Sequence, residues 1–405
     1  MTEAGSAPPQ SIPRPAHGAG IVMFALAMGG FAIGTTEFAS MSLLPYFARG
    51  LGIDEPTAGH AISAYALGVV VGAPLIAVIG ARMARRTQLI ALMAVFAAGN
   101  ALSAVSPSYH WLLLFRFLSG LPHGAYFGLA SLVATSLVPP NKRTMAVGRI
   151  MLGLTFATVI GVPVASWVGQ AVGWRSGFFI VAALALLTMA LLAVFAPRDA
   201  AAHDASPLRE LGALKRGQVW LTLAIGAIGF GGLFSVYTYL ATTLTEVTHV
   251  SPAVVPVVLA VFGVGMTLGN LVIPWFADRA LMPTAGGLLL FSAATLLVFP
   301  LAAPHLGWMI ADVFFIGVGG ALGTVLQTRL MDVAEDAQAL AAALNHSAFN
   351  TANALGPWLG GMAIAGGWGW ASTGPVGSVL ALGGFAVWIV ACLDAKRRVR
   401  VAAAA

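Results

Sequence analysis

The chain contains twelve apolar runs, each about as long as a helix that crosses a membrane. Such a helix needs about 20 apolar residues to cross the roughly 30 Å hydrocarbon layer of a bilayer. Only 8% of the residues are charged and 59% are hydrophobic, whereas a soluble domain carries about 25% charged residues. We predict an all-α polytopic membrane protein in a lipid bilayer, with spans near residues 19–47, 56–79, 88–106, 109–138, 145–171, 176–196, 219–243, 252–276, 284–303, 306–331, 339–366 and 371–393.

The basic residues between these runs are distributed unevenly. With the N-terminus inside, 17 of the 20 Lys and Arg residues fall on the inner side, Arg49 and Arg175 fall outside, and Arg116 falls within a span. Cytoplasmic loops carry such an excess of Lys and Arg. The sequence therefore predicts a multi-pass protein of a prokaryotic inner membrane, with both termini in the cytoplasm.

The longest connection between runs divides the spans six and six. Glycines on either side of it also repeat, because Gly72 and Gly120 recur 197 residues later as Gly269 and Gly317. Two repeats with a site near the midplane are typical of secondary transporters. The predicted parts are a disordered cytoplasmic tail (1–18), a six-helix bundle (19–196), a cytoplasmic linker (197–218), a second six-helix bundle (219–393) and a cytoplasmic tail (394–405).

Two charged residues lie deep within predicted spans. Glu37 lies about ten residues from the outer end of the first span and Arg116 about seven residues into the fourth, or roughly 15 and 10 Å at 1.5 Å per residue. A charge at such depth costs at least ~2.5 kcal/mol on insertion scales, so each should face a wet cavity or a partner. Burial favours a neutral carboxyl group and a nearby guanidinium favours the ionised one, so Glu37 is the predicted proton site and Arg116 tunes it. The alternative is a static ion pair that only joins the two spans.

Further polar residues within spans are predicted to line a substrate cavity. His346, Asn350 and Asn353 are spaced i, i+4 and i+7, which forms one polar stripe on the eleventh span. The alternative is that the amides only join neighbouring helices. His123 in the fourth span either binds substrate or a proton, or bonds a backbone carbonyl that Pro122 leaves free.

Asp312 in the tenth span lies near the position that the repeat assigns to Arg116. It either binds a polar or cationic group of the substrate or caps the outer end of its helix. Each of the remaining candidates offers hydrogen bonds from an apolar wall, although packing would also explain each one. These candidates are Tyr65, Asn100, Tyr126, Tyr237 and Asn270.

Three segments carry a resemblance to a known family: GTTEFASMSLLP (34–45), RFLSGLPHGAYFG (116–128) and NHSAFNTANALGPWLGG (345–361). They resemble the major facilitator superfamily, and within it the twelve-span drug:proton antiporters around the arabinose and sugar efflux permeases. The resemblance covers essentially the whole chain. It implies two pseudo-symmetric six-helix bundles and solutes such as sugars, sugar-like compounds or antibiotics. It also associates the RxxxGxxxG pattern at Arg116 with proton coupling.

The chain departs from this family in the loop after the second span. The family usually has an acidic residue where this chain has Ala81, whereas Arg82 is kept and the equivalent loop of the second half keeps Asp278 and Arg279. The resemblance implies that this loop is a cytoplasmic gate whose charges bridge the halves, so Arg82, Asp278 and Arg279 are predicted gate residues. The loss at Ala81 is expected to weaken or relocate the outward-facing lock. A second departure, Gly-Val-Pro at 161–163 in place of Gly-Pro, leaves the direction of transport open.

Other functional classes lack their signatures. No phosphate-binding loop and no cluster with metal-ligand spacing occurs, and Cys392 has no second cysteine to pair with. We therefore expect no enzyme, no metal and no cofactor. The basic residues fall in short groups between spans, which excludes a nucleic-acid partner.

The pattern favours a monomeric, proton-coupled secondary transporter. We expect it to export small neutral or amphipathic solutes, such as sugars, sugar-like compounds or drugs, by alternating access, and thereby to contribute to drug resistance. The alternative is a uniporter or proton symporter that imports a small solute with the same fold.

Overall fold

A computed structural model describes residues 18–53, 55–80, 82–198, 211–251, 254–335 and 337–404. Almost all of the predicted N-terminal tail, Ala81 and residues 199–210 of the predicted linker lie outside the described residues. The described part is helical and contains no strand, which confirms the predicted all-α class. Its α-helices are α1 (Ala19–Ser42), α2 (Leu44–Leu51), α3 (Glu55–Gly80), α4 (Arg85–Ala104), α5 (Tyr109–Ser136), α6 (Arg143–Phe156), α7 (Val162–Val172), α8 (Arg175–Phe195), α9 (Gly217–Gly229), α10 (Gly231–Glu246), α11 (Val255–Ala277), α12 (Leu281–Ala302), α13 (Leu306–Gly319), α14 (Leu322–Val333), α15 (Gln338–Ala363) and α16 (Thr373–Ala404).

Ten helical segments of the described chain are long and apolar enough to cross a membrane. The two predicted runs that are absent from these ten form α5 and α15, which are 28 and 26 residues long. Both helices exceed the roughly 20 residues that a crossing needs. Their lower hydropathy follows from the polar residues that they carry, among them Arg116, His123, His346 and Asn350. The two least apolar crossings are therefore the ones that bring polar side chains to the centre of the molecule.

Four of the predicted runs are each divided between two α-helices by an irregular turn. The fifth run shows the clearest cause, because Pro163 has no N–H to donate to the carbonyl of Val159. A π-helical turn at Ala157–Gly161 takes up this break between α6 and α7. The other breaks lie at Leu43 between α1 and α2, at Phe230 between α9 and α10, and at Gly320 and Ala321 between α13 and α14.

The duplicated glycines lie where helices touch backbone to backbone. A methyl group on Gly72 of α3 would lie 2.0 Å from the carbonyl oxygen of Leu121 in α5, and one on Gly269 of α11 would lie 2.6 Å from that of Val318 in α13. Only glycine permits such an approach between two helices. All of these residues are related by the same 197-residue spacing, as are the pairs Gly68–Phe117 with Gly265–Phe314 and Gly120–Tyr65 with Gly317–Phe262. The repeat in the sequence is therefore a repeat in helix packing.

The buried apolar side chains form two large clusters. One draws on residues 22–196 together with Met331 and Ala342, and the other draws on residues 225–391. We call α1–α8 the first half and α9–α16 the second half. The predicted boundaries of the two bundles stay a prediction, although the clusters fall on either side of 197–218.

The two halves are joined by hydrogen bonds at one end of the bundle. At this end α1, α6 and α15 begin and α11 and α14 end, and we call it the basic end because it carries Arg143, Arg149, Arg216, Arg279 and Arg329. The Gln327 amide donates to the Phe127 carbonyl oxygen at 3.2 Å and to Ser131 Oγ at 2.9 Å. A methyl group on Gly124 would lie 2.8 Å from the Ala343 carbonyl oxygen. Helices α5 and α15 are thus in close contact across the halves, and the basic end is closed.

Candidate functional site

A cavity lies between the halves, on the other side of the α5–α15 contact from the basic end. Its open space, including the part continuous with solvent, is about 660 Å³. The predicted proton site Glu37 lines it, together with five of the predicted cavity residues: His123, Tyr237, Asn270, His346 and Asn350. The remaining lining residues are Phe38, Met151, Leu154, Phe230, Leu233, Phe234, Phe262, Met266, Gly320, Gly323, Thr324 and Phe349.

The second half supplies an aromatic wall to this cavity. Tyr237 packs against Phe262 with ring centroids 4.7 Å apart and meets Phe38 of α1 edge to face at 6.0 Å. Phe230 stacks on Phe349 at 4.6 Å. Apart from Tyr237, these rings were not predicted from the sequence. Phenylalanine is as ordinary in a helix core as in a binding site, so the sequence contains no signal that would have singled them out.

Arg116 lies beside the cavity at the centre of a polar network within the first half. Only 1% of the residue is exposed, and its guanidinium lies 4.4 Å from the centre of the Tyr65 ring. It donates to Thr36 Oγ1 at 3.1 Å and to Ser40 Oγ at 3.4 Å. The Thr36 hydroxyl in turn donates to Asn100 Oδ1 at 2.7 Å. Tyr65, Asn100 and Arg116 therefore belong to this network and are absent from the cavity lining.

Glu37 faces the cavity from the same turn of α1 as Thr36 and Ser40. Its carboxylate forms no ion pair with Arg116 among the described residues, because the guanidinium is engaged by the two hydroxyl groups that flank Glu37. The static ion pair considered from the sequence is therefore not formed in this structure. The Glu37 side chain is half-buried and lines the cavity. It is thus an acid on the wall of an otherwise largely apolar space, with a buried cation nearby.

A chain of hydrogen bonds runs from the network to the second half. The Tyr65 hydroxyl lies 2.9 Å from His123 Nδ1, and His123 Nε2 lies 3.2 Å from Nδ1 of His346 on α15. The His346 ring stacks on Phe127 with centroids 4.2 Å apart. His123 therefore bonds a tyrosine hydroxyl and a second histidine, and not a carbonyl freed by Pro122. The Asn350 amide donates to the His346 carbonyl oxygen at 2.9 Å within α15.

Four further predicted residues have other surroundings. The Tyr126 hydroxyl donates to the Leu26 carbonyl oxygen at 2.8 Å, so Tyr126 joins α5 to α1. Asn270 accepts a 2.5 Å hydrogen bond from Thr324 at the cavity wall. Asn353 lies outside the lining. Asp312 is 6% exposed and its Oδ2 has no hydrogen-bond partner among the described residues, and it too lies outside the lining.

The predicted gate residues make different contacts from one another at the basic end. Asp278, which follows α11, accepts hydrogen bonds from the backbone N–H groups of Thr144 at 2.8 Å and Met145 at 3.2 Å. These are first-turn donors of α6, where a helix end attracts negative charge. Asp278 thus joins the halves through backbone groups. Arg279 instead lies over the ring of its neighbour Trp275 at 3.4 Å, and Arg82 is exposed between α3 and α4.

A second contact at the same end was not predicted. Arg143 at the start of α6 pairs with Asp332 near the end of α14, with 2.9 Å between Nη1 and Oδ1. Neither residue has a sequence feature that distinguishes it from other loop charges. Together with the hydrogen bonds of Asp278, this pair gives two contacts between the halves at the first turn of α6.

The sequence was compared with those of known proteins. The model of the Major Facilitator Superfamily matches residues 26–287 and 234–404. The chain is 42% identical to the inner membrane transport protein YdhP of Escherichia coli over 360 residues, which cover 89% of this chain and 92% of that protein. It is 34% identical to the chloramphenicol resistance protein of Streptomyces lividans over 345 residues, which cover 83% and 87% of the two chains.

A comparison of folds is consistent with this result. The structure is similar to that of the fucose:proton symporter FucP of Escherichia coli, with a TM-score of 0.73 at 13% sequence identity. The match covers 92% of this chain and 98% of that one. At such identity the likeness concerns the fold alone, and it confirms the predicted superfamily fold.

Proposed function

The chain belongs to the major facilitator superfamily of membrane transporters, and on that premise we propose that it is a proton-coupled exporter of small amphipathic solutes. The observation that carries the proposal is the position of Glu37 on the wall of a cavity between two halves, where it forms no ion pair within the described part of the chain. A carboxyl group is inexpensive to desolvate when protonated and costly when ionised. Alternating access that changes its surroundings would therefore bind and release a proton.

The basic end is assigned to the cytoplasm in this proposal. An excess of Lys and Arg on one side of a membrane protein is typical of its cytoplasmic loops. The protein would then lie in the inner membrane with both termini in the cytoplasm. With the basic end closed, the structure would represent a state in which the cavity has no access to the cytoplasm.

The cavity wall supports an amphipathic solute better than a sugar. Its aromatic and aliphatic side chains offer stacking and apolar contact, with few groups that could satisfy the hydroxyls of a sugar. A buried hydroxyl without a partner costs about 1–3 kcal/mol. The name of the Streptomyces relative is consistent with this choice, since chloramphenicol combines an aromatic ring with several polar groups.

The experiment uses the purified protein in proteoliposomes with an acidic interior and labelled chloramphenicol or labelled arabinose outside. We expect chloramphenicol to accumulate as protons leave, and arabinose not to accumulate. Glu37→Gln should abolish accumulation but retain exchange of labelled for unlabelled chloramphenicol, which needs no net proton movement. The matched control is Asp312→Asn, a buried acid outside the cavity, which should still accumulate the drug.

Three results would contradict the proposal. Accumulation by Glu37→Gln at the unsubstituted rate would remove Glu37 as the proton site. Accumulation only when the exterior is acidic would favour the alternative, a symporter that imports its solute, and accumulation that follows no proton gradient would favour a uniporter.

A further inference from the structure

His123 and His346, which we call the His pair, form a hydrogen bond between the two halves. Their rings are almost fully buried, with 1% and 3% of the residues exposed. The bond joins Nε2 of His123 on α5 to Nδ1 of His346 on α15 at 3.2 Å. It lies at the inner end of the cavity, where both residues also contribute to the lining.

The His pair marks the level at which the halves come together. One residue after His123, Gly124 approaches the Ala343 backbone, and Gly128 one turn further does the same. On α15, Ala343 precedes His346 by nearly one turn on the side of the basic end. The next turn of α15 in the other direction carries Asn350, which faces the cavity. The bond therefore lies where the closed interface between the halves ends and the cavity begins.

Neighbouring groups hold both rings in place. The Tyr65 hydroxyl lies 2.9 Å from His123 Nδ1, and Phe127 stacks on the His346 ring with an interplanar angle of 12°. A bond between two imidazole nitrogens needs one hydrogen between them. If the Tyr65 hydroxyl donates to Nδ1, the neutral His123 ring carries its hydrogen on Nε2 and donates it to His346. In that tautomer, Tyr65 orients the donor of the bond that crosses the interface.

We propose that the His pair stabilises the arrangement in which the basic end is closed, so that both histidines are positioning residues of the transport cycle. The inference deepens the proposed function by assigning a contact that sets the balance between two access states. A bond across the interface is lost when α5 and α15 separate, whereas the bonds within each half are kept. The net free energy of the bond between His123 and His346 therefore stabilises only the state in which the basic end is closed.

The experiment measures opening of the basic end by cysteine labelling. The background is Cys392→Ala, which removes the native cysteine, with Ser131→Cys as a reporter, since Ser131 is fully buried between the halves at the basic end. The rate of maleimide labelling of the purified protein then follows the open population. A net hydrogen bond shifts such an equilibrium about two- to tenfold, so His346→Leu should raise the rate by that factor.

A conservative variant separates the bond from the bulk of the ring. Asparagine places a polar atom near the position of Nδ1, so His346→Asn should label at nearly the parent rate. Asn350→Ala is the control on the same helix, because its amide bonds only its own helix backbone; it should leave labelling unchanged. Should His346→Leu not give a monodisperse protein, His123→Leu removes the same bond from the other side and carries the same expectation.

The proposal is overturned if His346→Leu or His123→Leu labels at the parent rate, or if His346→Asn labels as fast as His346→Leu. Labelling needs neither solute nor proton gradient. If loss of the His pair bond does not change labelling, the proposed export function is not affected. If proton-driven transport fails, the labelling result still holds.

Discussion

Asp278 should contribute more to closure of the basic end than the ion pair formed by Arg143 and Asp332. Its carboxylate is half-buried and accepts two backbone hydrogen bonds at the first turn of α6. A charge at a helix end stabilises it by up to about 2 kcal/mol in a partly buried site. The side chains of Arg143 and Asp332 are 29% and 36% exposed, and an exposed pair is worth about 0–1 kcal/mol.

These magnitudes give a ranking that labelling of the Ser131→Cys reporter can measure. A loss of about 1–2 kcal/mol in Asp278→Ala should raise the open population about 5- to 30-fold, since 1.4 kcal/mol is a factor of ten. Asp332→Ala should raise it less than about fivefold. Asp278→Asn should fall between, because its amide oxygen still accepts a hydrogen bond without the charge. An Asp332→Ala rate equal to or above that of Asp278→Ala would refute the reasoning.

Two further predictions concern the network and the helix packing. Arg116→Lys loses the planar group that lies over Tyr65 and one of its two hydroxyl bonds, so proton-driven accumulation in proteoliposomes should fall by roughly tenfold while the protein stays monodisperse; an unchanged rate would exclude the network from coupling. Gly265→Ala would place its methyl group 2.1 Å from the Phe314 carbonyl oxygen, whereas a methyl group on Gly287 meets nothing within 4 Å. The melting temperature should therefore fall in Gly265→Ala and not in Gly287→Ala, and equal values would contradict the packing argument.

Polar residues within apolar runs were the part of the site that sequence reasoning could find. Glu37, His123 and His346 stand out because a polar group in a span is costly unless it has a purpose or a partner. Their partners were much harder to identify. Thr36 and Ser40, which hold the Arg116 guanidinium, are ordinary helix residues whose hydroxyls usually bond their own backbone. Only the rotation of α1 against α5 brings them to Arg116.

The contacts at the basic end show a second limit. A family motif predicts that Asp278 is a gate residue, but its partners are backbone N–H groups of α6, which any residue except proline supplies. Arg279 matches the same motif and yet turns back onto Trp275. A motif can therefore indicate which loop acts as a gate, whereas the choice of partner depends on which helix end the loop reaches.

The duplication shows what the two halves share and where they differ. At the 197-residue spacing the glycine contacts between helices are kept, but Tyr65 corresponds to Phe262, Arg116 to Val313 and His123 to Gly320. Close packing needs glycine at the same positions in both halves, so those positions stay alike. Under the proposed function, the charged network needs to exist only once, because one acid on the cavity wall is enough to carry a proton. The second half thus lacks the counterpart of the polar network and carries Phe262 at the cavity wall instead.

Asp312 lies one residue before the position equivalent to Arg116, which on a helix turns it by about 100°. This rotation accounts for its absence from the cavity lining. In the proposed function, the proton site therefore lies in the first half alone.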